Sequence, residues 1–254
     1  MTEKVLLFLG AGRNLGAASV AHFKKQGYKV ASVARSVKPE IEACSDVCLT
    51  ADFSNPEVMK DVFERVRQAV GTPNIVIYNP FAWSRGPDEG NPLSTSVEAF
   101  QSDFAINVAS AYAAAKYTIE GFDSLPKDLN KVFMYTGNNG NTGIIPTFLT
   151  LGMGKSAAWY IIQQLAATKR FMERNYRFYY VDERTPTGKA TLTTSGRGHA
   201  EFFLELAEKD EQGPTLATFV RGKGYTKFAA SEIARLPSIS LDDAVDLAYG
   251  QQEY

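Results

Sequence analysis

Cysteine and histidine are almost missing from this chain, with two of each in 254 residues. Cys44 and Cys48 stand alone, and His22 and His199 lie far from them with no ligand spacing. That excludes a disulfide scaffold or a zinc cluster of recognisable pattern and leaves ordinary thiols; no metal is expected. A long apolar run is also absent: nothing approaches the ~20 residues of a membrane span. Met1-Thr2-Glu3-Lys4 runs straight into Val5–Leu9, without the apolar stretch and cleavage site of a secretory signal, so a cytoplasmic location is expected. Net charge is −1, which supplies no general attraction to nucleic acid or an anionic membrane.

What is present is ordinary for a globular protein, 44% hydrophobic and 22% charged residues. Short apolar runs alternate with longer amphipathic ones. Val5–Leu9, Lys29–Ala34, Val47–Ala51, Ile75–Tyr78, Lys131–Tyr135, Arg177–Val181 and Thr215–Val220 read as strands. Most are continuously apolar, as strands buried on both faces of a parallel sheet must be. Helices are expected near Leu15–Gln26, Pro56–Ala69 (with Asn55 as N-cap), Val97–Gly121, Leu149–Arg174 and Ala200–Lys209. The pattern predicts one α/β Rossmann-like, doubly wound domain over residues 1–254, with a seven-stranded parallel sheet. Residues 229–254 are expected to be a C-terminal helical extension.

The first strand is followed by Gly10-Ala11-Gly12-Arg13-Asn14-Leu15-Gly16, which opens the first helix. Glycines there let the backbone turn tightly and approach a pyrophosphate, which lies against the helix N-terminal N–H groups. The second strand ends Val33-Ala34-Arg35-Ser36, where an NAD-binding chain usually places an acid for the ribose 2′-hydroxyl. An acid would repel a 2′-phosphate; Arg35, helped by Arg13, attracts it. NADP(H) is therefore the expected cofactor, with Asp52-Phe53 bounding the adenine edge; two solvated surface arginines are the plainer alternative.

Glycine loop, strand-end arginine and Asp52, in this order, resemble the short-chain dehydrogenase/reductase family over residues 4–228. The resemblance assigns Asn79, in Tyr78-Asn79-Pro80-Phe81, to the cofactor side, and Asn107, in Ala105-Ile106-Asn107-Val108, to the proton-relay position. Lys155, in Leu151-Gly152-Met153-Gly154-Lys155-Ser156, matches the family's lysine. Counting back four gives Leu151 where the family has tyrosine, and thirteen more gives Asn138 where it has serine. Tyr112 and Lys116 share the tyrosine–lysine spacing but lie on the preceding helix, so Tyr112 is expected in packing or an interface. The proline-glycine pair after the sixth strand is replaced by Glu183-Arg184.

Leucine donates no proton, and general acid help is typically worth ~10² to 10⁴ in rate. Lys155 is left to bind the nicotinamide ribose and to carry positive charge; Asn138 offers an amide to an oxyanion, and Tyr78 is a candidate proton donor from another direction. Iminium ions and electron-poor alkenes accept hydride without an acid at that step. Three readings stay open. One is an atypical NADPH-dependent reductase of a small molecule (iminium, activated alkene or carbonyl), and another a non-redox cyclase or isomerase on the same scaffold. The third is a catalytically silent NADP(H)-binding regulator. Phe81, Trp83, Asn138 and Leu151 are the expected pocket walls, with Trp83 either covering substrate or packing locally. Thr191–Gly198 reads as a mobile lid. The family resemblance further implies a homodimer or homotetramer through the two long helices before the fifth and sixth strands.

Overall fold

A computed structural model describes residues 3–191 and 193–229; the expected extension 229–254 therefore lies outside the described residues except for Ala229. Eight strands form one sheet in the order β3-β2-β1-β4-β5-β6-β7-β8. They are β1 (Val5–Leu9), β2 (Lys29–Ala34), β3 (Val47–Thr50), β4 (Ile75–Tyr78), β5 (Lys131–Thr136), β6 (Tyr176–Arg184), β7 (Leu216–Val220) and β8 (Gly224–Tyr225). The first seven are parallel, as the apolar runs predict, and β8 turns back antiparallel on β7. The alternating pattern does not register β8 because two residues after a turn carry no periodicity.

The helices are α1 (Leu15–Lys25), α2 (Pro39–Glu42), α3 (Val58–Val70), α4 (Val97–Phe104), α5 (Ser110–Phe122), α6 (Leu149–Ala167), α7 (Lys169–Met172) and α8 (Gly196–Glu208). Several limits differ from expectation. Asn55 is not the cap of α3: its Oδ1 accepts the Glu57 N–H at 3.1 Å in a turn, and the helix begins at Val58. The stretch expected as one helix over 97–121 is broken by a π-helical turn, Ala105–Ala109. Helix α6 ends at Ala167, where extended Thr168 starts the short α7. Helix α8 begins four residues early, at Gly196, because Ser195 Oγ caps the Gly198 N–H at 3.0 Å.

Alternate residues of the strands feed two cores. Val5, Leu7, Leu9, Val76 and Phe133 pack with α3, α5 and α6, while Leu6, Phe8, Ile75, Ile77 and Met134 pack with α1 and α8. With both faces covered, the rim at the carboxyl ends of the strands is where a sheet of this kind receives a ligand. At the opposite rim Asn74, 1% exposed, accepts the Val5 N–H at 2.7 Å and donates to the Asn130 carbonyl at 2.8 Å. It ties the entries of β1, β4 and β5 together. Asn74→Ala leaves both main-chain groups unpaired and should cost about 2 kcal/mol, read as a shift in urea midpoint at unchanged slope.

Candidate functional site

At the rim, Gly10 has φ +79°, and a side chain there would collide with Pro80, 2.7 Å from its nitrogen. Gly10 and Ala11 give their N–H groups to the Val33 carbonyl, at 2.8 and 3.0 Å. Asn79 completes the turn: its Nδ2 donates to the Gly10 carbonyl at 2.9 Å and its own N–H to Leu9. Asn79 thus builds the loop from behind. Gly12 is different, because no protein atom lies within 4 Å of where its Cβ would stand. The open space there lies beside the N-terminus of α1, whose first residues Leu15 and Gly16 are buried.

Arg13 and Arg35 are both exposed at this end of the sheet. Arg13 lies 3.9 Å from Glu40, a loose surface pair that leaves it available. Lys38, near Ser36 at 3.2 Å, adds a third cation that motif reading did not single out. Asp52 accepts the Ser54 N–H at 3.0 Å; that bond, more than the nearby Arg35, keeps its carboxyl below the ordinary range. Phe53 departs from expectation. Its ring is buried in the core against Tyr78, so only its main chain borders this region, where its carbonyl accepts from Ser110 Oγ.

The second half of the site lies where β4, β5 and β6 end. Asn107 sits in the π-helical turn with no exposed surface, its Oδ1 taking the Ala82 N–H at 2.9 Å and its Nδ2 donating to the Ala82 carbonyl at 2.8 Å. The widened turn aims the Asn107 carbonyl at the strands, where Tyr135 Oη donates to it at 3.2 Å. Helix α6 approaches closely because Gly154 has no side chain; a Cβ there would be 2.6 Å from that of Asn107. Lys155, the next residue, is 4% exposed. Its Nζ donates to the Thr136 carbonyl at 2.7 Å and reaches Tyr135 Oη at 3.5 Å. Burial pulls its pKa down to about 7, partly offset by Asp182. Leu151, buried, stands one turn before it on α6.

Asn138 follows β5. Its carbonyl takes the Tyr180 hydroxyl proton at 2.7 Å, and its Oδ1 accepts the Gly140 N–H at 2.9 Å, leaving the NH₂ end as donor. Tyr78 is no free proton source: buried at 0% exposure, its hydroxyl donates to the Ile106 carbonyl at 2.5 Å. Phe81 is exposed, while Trp83 stacks on Phe148 at 4.1 Å and gives its Nε1 proton to the Thr147 carbonyl. Trp83 thus packs locally while staying partly exposed. Tyr112 is 61% exposed on α5, whereas Lys155 is buried.

The sequence shows Glu183-Arg184 after the sixth strand but not that these charges are buried within it. The strand continues through Asp182-Glu183-Arg184, all buried. Arg184 pairs with Asp182 at 2.6 Å; burial raises the Asp182 pKa to about 6 and Arg184 opposes the rise. Glu183 accepts the Ser195 N–H at 2.7 Å and Arg221 at 3.0 Å, and Arg221 also donates to the Thr193 carbonyl. Asn14 Nδ2 donates to the Thr194 carbonyl at 2.9 Å. The stretch expected as a mobile lid is therefore tied from three sides at Thr193, Thr194 and Ser195, and its last residues are the first turn of α8. Asp103 was also missed. It joins Ser84 to Thr150, fixing the loop after β4 to the start of α6. The available sign was a lone carboxylate at helical spacing between Phe100 and Asn107.

Among the described residues no helix is long and apolar enough to cross a membrane. The family profile described as Enoyl-(Acyl carrier protein) reductase matches residues 10–197. "Short chain dehydrogenase/reductase dmxR12" of Cryptosporiopsis sp. (strain 8999) is 34% identical over 241 residues, covering 91% of this chain and 97% of that protein. Among solved structures, a metagenomic short-chain oxidoreductase in complex with NADP matches at TM-score 0.70 and 15% identity, over 85% of this chain and 95% of that one. BdcA in complex with NADPH matches at TM-score 0.70 and 17% identity, over 89% and 97%. Fold, profile and relative agree, and the chain belongs to the short-chain dehydrogenase/reductase family of oxidoreductases.

Proposed function

We propose that this protein is an NADPH-dependent reductase of a small organic molecule that works without a tyrosine acid, Leu151 and Asn138 standing where its family keeps tyrosine and serine. One observation carries the cofactor reading. Gly12 has open space where a side chain would stand, exposed Arg13 follows it in the loop, and β2, paired with β1, is followed by exposed Arg35-Ser36 rather than by a carboxylate. The metagenomic enzyme with NADP and BdcA with NADPH support the same choice.

In this reading Arg13 and Arg35, with Lys38 beside them, hold the 2′-phosphate. The N–H groups of Asn14, Leu15 and Gly16 at the start of α1 face the pyrophosphate. Asp52 and the main chain of Phe53 bound the adenine. When bound, NADPH supplies a hydride. Lys155 spends two N–H bonds on Thr136 and Tyr135, and the third is left for the nicotinamide ribose. The Asn138 NH₂ group is the donor for a developing oxyanion. Leu151 offers only apolar surface, which favours substrates that need no proton as hydride arrives: an iminium, an activated alkene, or a carbonyl whose oxygen draws on another donor. Phe81, exposed beside Ala82, lies on the entry side. The same reading takes it as a cytoplasmic homodimer or homotetramer associating through α5 and α6, which expose Tyr112 and Tyr160.

Calorimetric titration should show NADPH binding well ahead of NADH, and Arg35→Asp should weaken NADPH by roughly 10- to 100-fold. Equal affinity for both cofactors in the unsubstituted protein would defeat the 2′-phosphate assignment. Oxidation of NADPH by iminium or enone compounds then separates a reductase from a cyclase, which converts substrate at constant cofactor absorbance, and from a silent binder.

The lowered pKa of Lys155 gives a second test. Below about pH 7 it carries a proton, and its charge opposes the cationic ring of NADP⁺; above that the amine is neutral. The ratio of the NADP⁺ to the NADPH dissociation constant should fall several-fold as pH rises from about 6 to about 8.5. In Lys155→Met the ratio should be flat.

A further inference from the structure

The site's lysine stands on a column of three tyrosines for which the reading above has only partial use. Tyr78, Tyr135 and Tyr180 occupy matching register positions on β4, β5 and β6. Their rings stack with centroids 5.6 and 5.7 Å apart and planes tilted by 15° and 12°. All three are buried, and burial raises each phenol above its ordinary range, so the hydroxyls stay protonated donors. Each one goes to a different main-chain carbonyl of the site: Ile106, Asn107 and Asn138. Space is reserved for this arrangement, since a Cβ on Gly137 would fall 2.0 Å from the Tyr180 ring.

Three phenylalanines would fill the column as well and bury the same apolar area. The hydroxyls instead bind backbone segments from two different parts of the chain, the π-helical turn and the turn after β5. Tyr135 differs from its two neighbours because it also meets Lys155. The Lys155 Nζ lies 4.6 Å from the centroid of the Tyr135 ring and 3.5 Å from its hydroxyl oxygen. Other polar groups facing Nζ are the Thr136 carbonyl on β5, and Asp182 across on β6, whose carboxylate is engaged by Arg184. The Tyr180 hydroxyl is committed to Asn138, and that of Tyr78 to Ile106. No carboxylate bonds directly to the amine among the described residues, so the ring face and hydroxyl of Tyr135 are what this cation has besides one carbonyl.

We propose that Tyr135 is the positioning residue for Lys155: its hydroxyl, fixed by the Asn107 carbonyl, and its ring face hold the ammonium at the rim and set the pH at which it changes charge. The donors run one way, Lys155 N–H to Tyr135 oxygen and Tyr135 O–H to the Asn107 carbonyl. Replacing the hydroxyl removes a partner of the charged form and lowers its stability relative to the neutral amine. Replacing the ring removes the cation–π contact too. The inference rests on Lys155 being the cation of the proposed site, but its test needs no cofactor.

The experiment is a pH titration of the full-length protein carrying lysine labelled with ¹³C at Cε, followed by NMR, the Lys155 signal being identified by its loss in Lys155→Met. In the unsubstituted protein Lys155 should titrate near 7, well apart from the surface lysines. Tyr135→Phe should lower that midpoint by about half a unit to one unit, and Tyr135→Leu by more. Tyr78→Phe removes a hydroxyl from the same column without touching Lys155. It should cost comparable stability in a urea melt yet leave the midpoint in place. A midpoint that Tyr135→Phe moves no more than Tyr78→Phe does, or one that coincides with the surface lysines, overturns the proposal. Should Tyr135→Leu fail to fold, Tyr135→Phe decides. Loss of NADP(H) binding in every protein would refute the proposed function and leave this result standing.

Discussion

One buried ammonium organises the chemical half of this protein. Taking a charge out of water costs several kcal/mol unless partners replace the lost solvent. Lys155 receives one carbonyl at close range, an aromatic face, and a carboxylate whose own charge Arg184 has already claimed. Burial accordingly brings its pKa down to about 7, so near neutrality it stands between its charged and neutral forms. Around that group the chain commits a glycine that lets α6 approach, a π-helical turn that turns a carbonyl inward, and a stacked set of rings. Each makes sense as support for placing a lysine at a rim with little solvent.

The cofactor half follows a different economy. There the chain spends almost no buried polarity: the arginines are exposed, and the loop is shaped by Gly10, Pro80 and Asn79 acting from behind. Affinity at such a place comes from backbone N–H groups and mobile cations, which cost little in the free protein. The two halves meet along the ends of β1, β4 and β5. Asp103, reaching from α4 to both Ser84 and Thr150, keeps the loop over one half in register with the helix that carries the other.

Much of this was legible in the sequence. Strand limits of β1, β2 and β4 coincide with those read from the sequence, since strands covered on both faces are apolar through most of their length. The glycine loop could be placed because a strand precedes it and a helix follows. The end of β6 could not. Asp182, Glu183 and Arg184 look like the start of a solvated loop, and their burial is made tolerable by pairing between Asp182 and Arg184 and by partners such as Gly188, Ser195 and Arg221 that the motif does not announce. The π-helical turn was invisible for a similar reason. One extra residue in a helix leaves its composition unchanged, and the compensation lies in the Asn107 bonds to Ala82. The ties of Thr193, Thr194 and Ser195 to Arg221, Asn14 and Glu183 are tertiary hydrogen bonds, which glycine and threonine content does not announce.

The small strand β8 has an effect out of proportion to its length. A parallel sheet of this order has two outer margins, and the one at β7 would otherwise present a row of unpaired amides. Gly224 and Tyr225 pair with Val220 and Phe219, and Thr226 adds its N–H to the Thr218 carbonyl while accepting the Thr218 hydroxyl. A margin closed in this way is a poor template for another chain. Two copies of this protein are thereby steered away from joining their sheets end to end at β7.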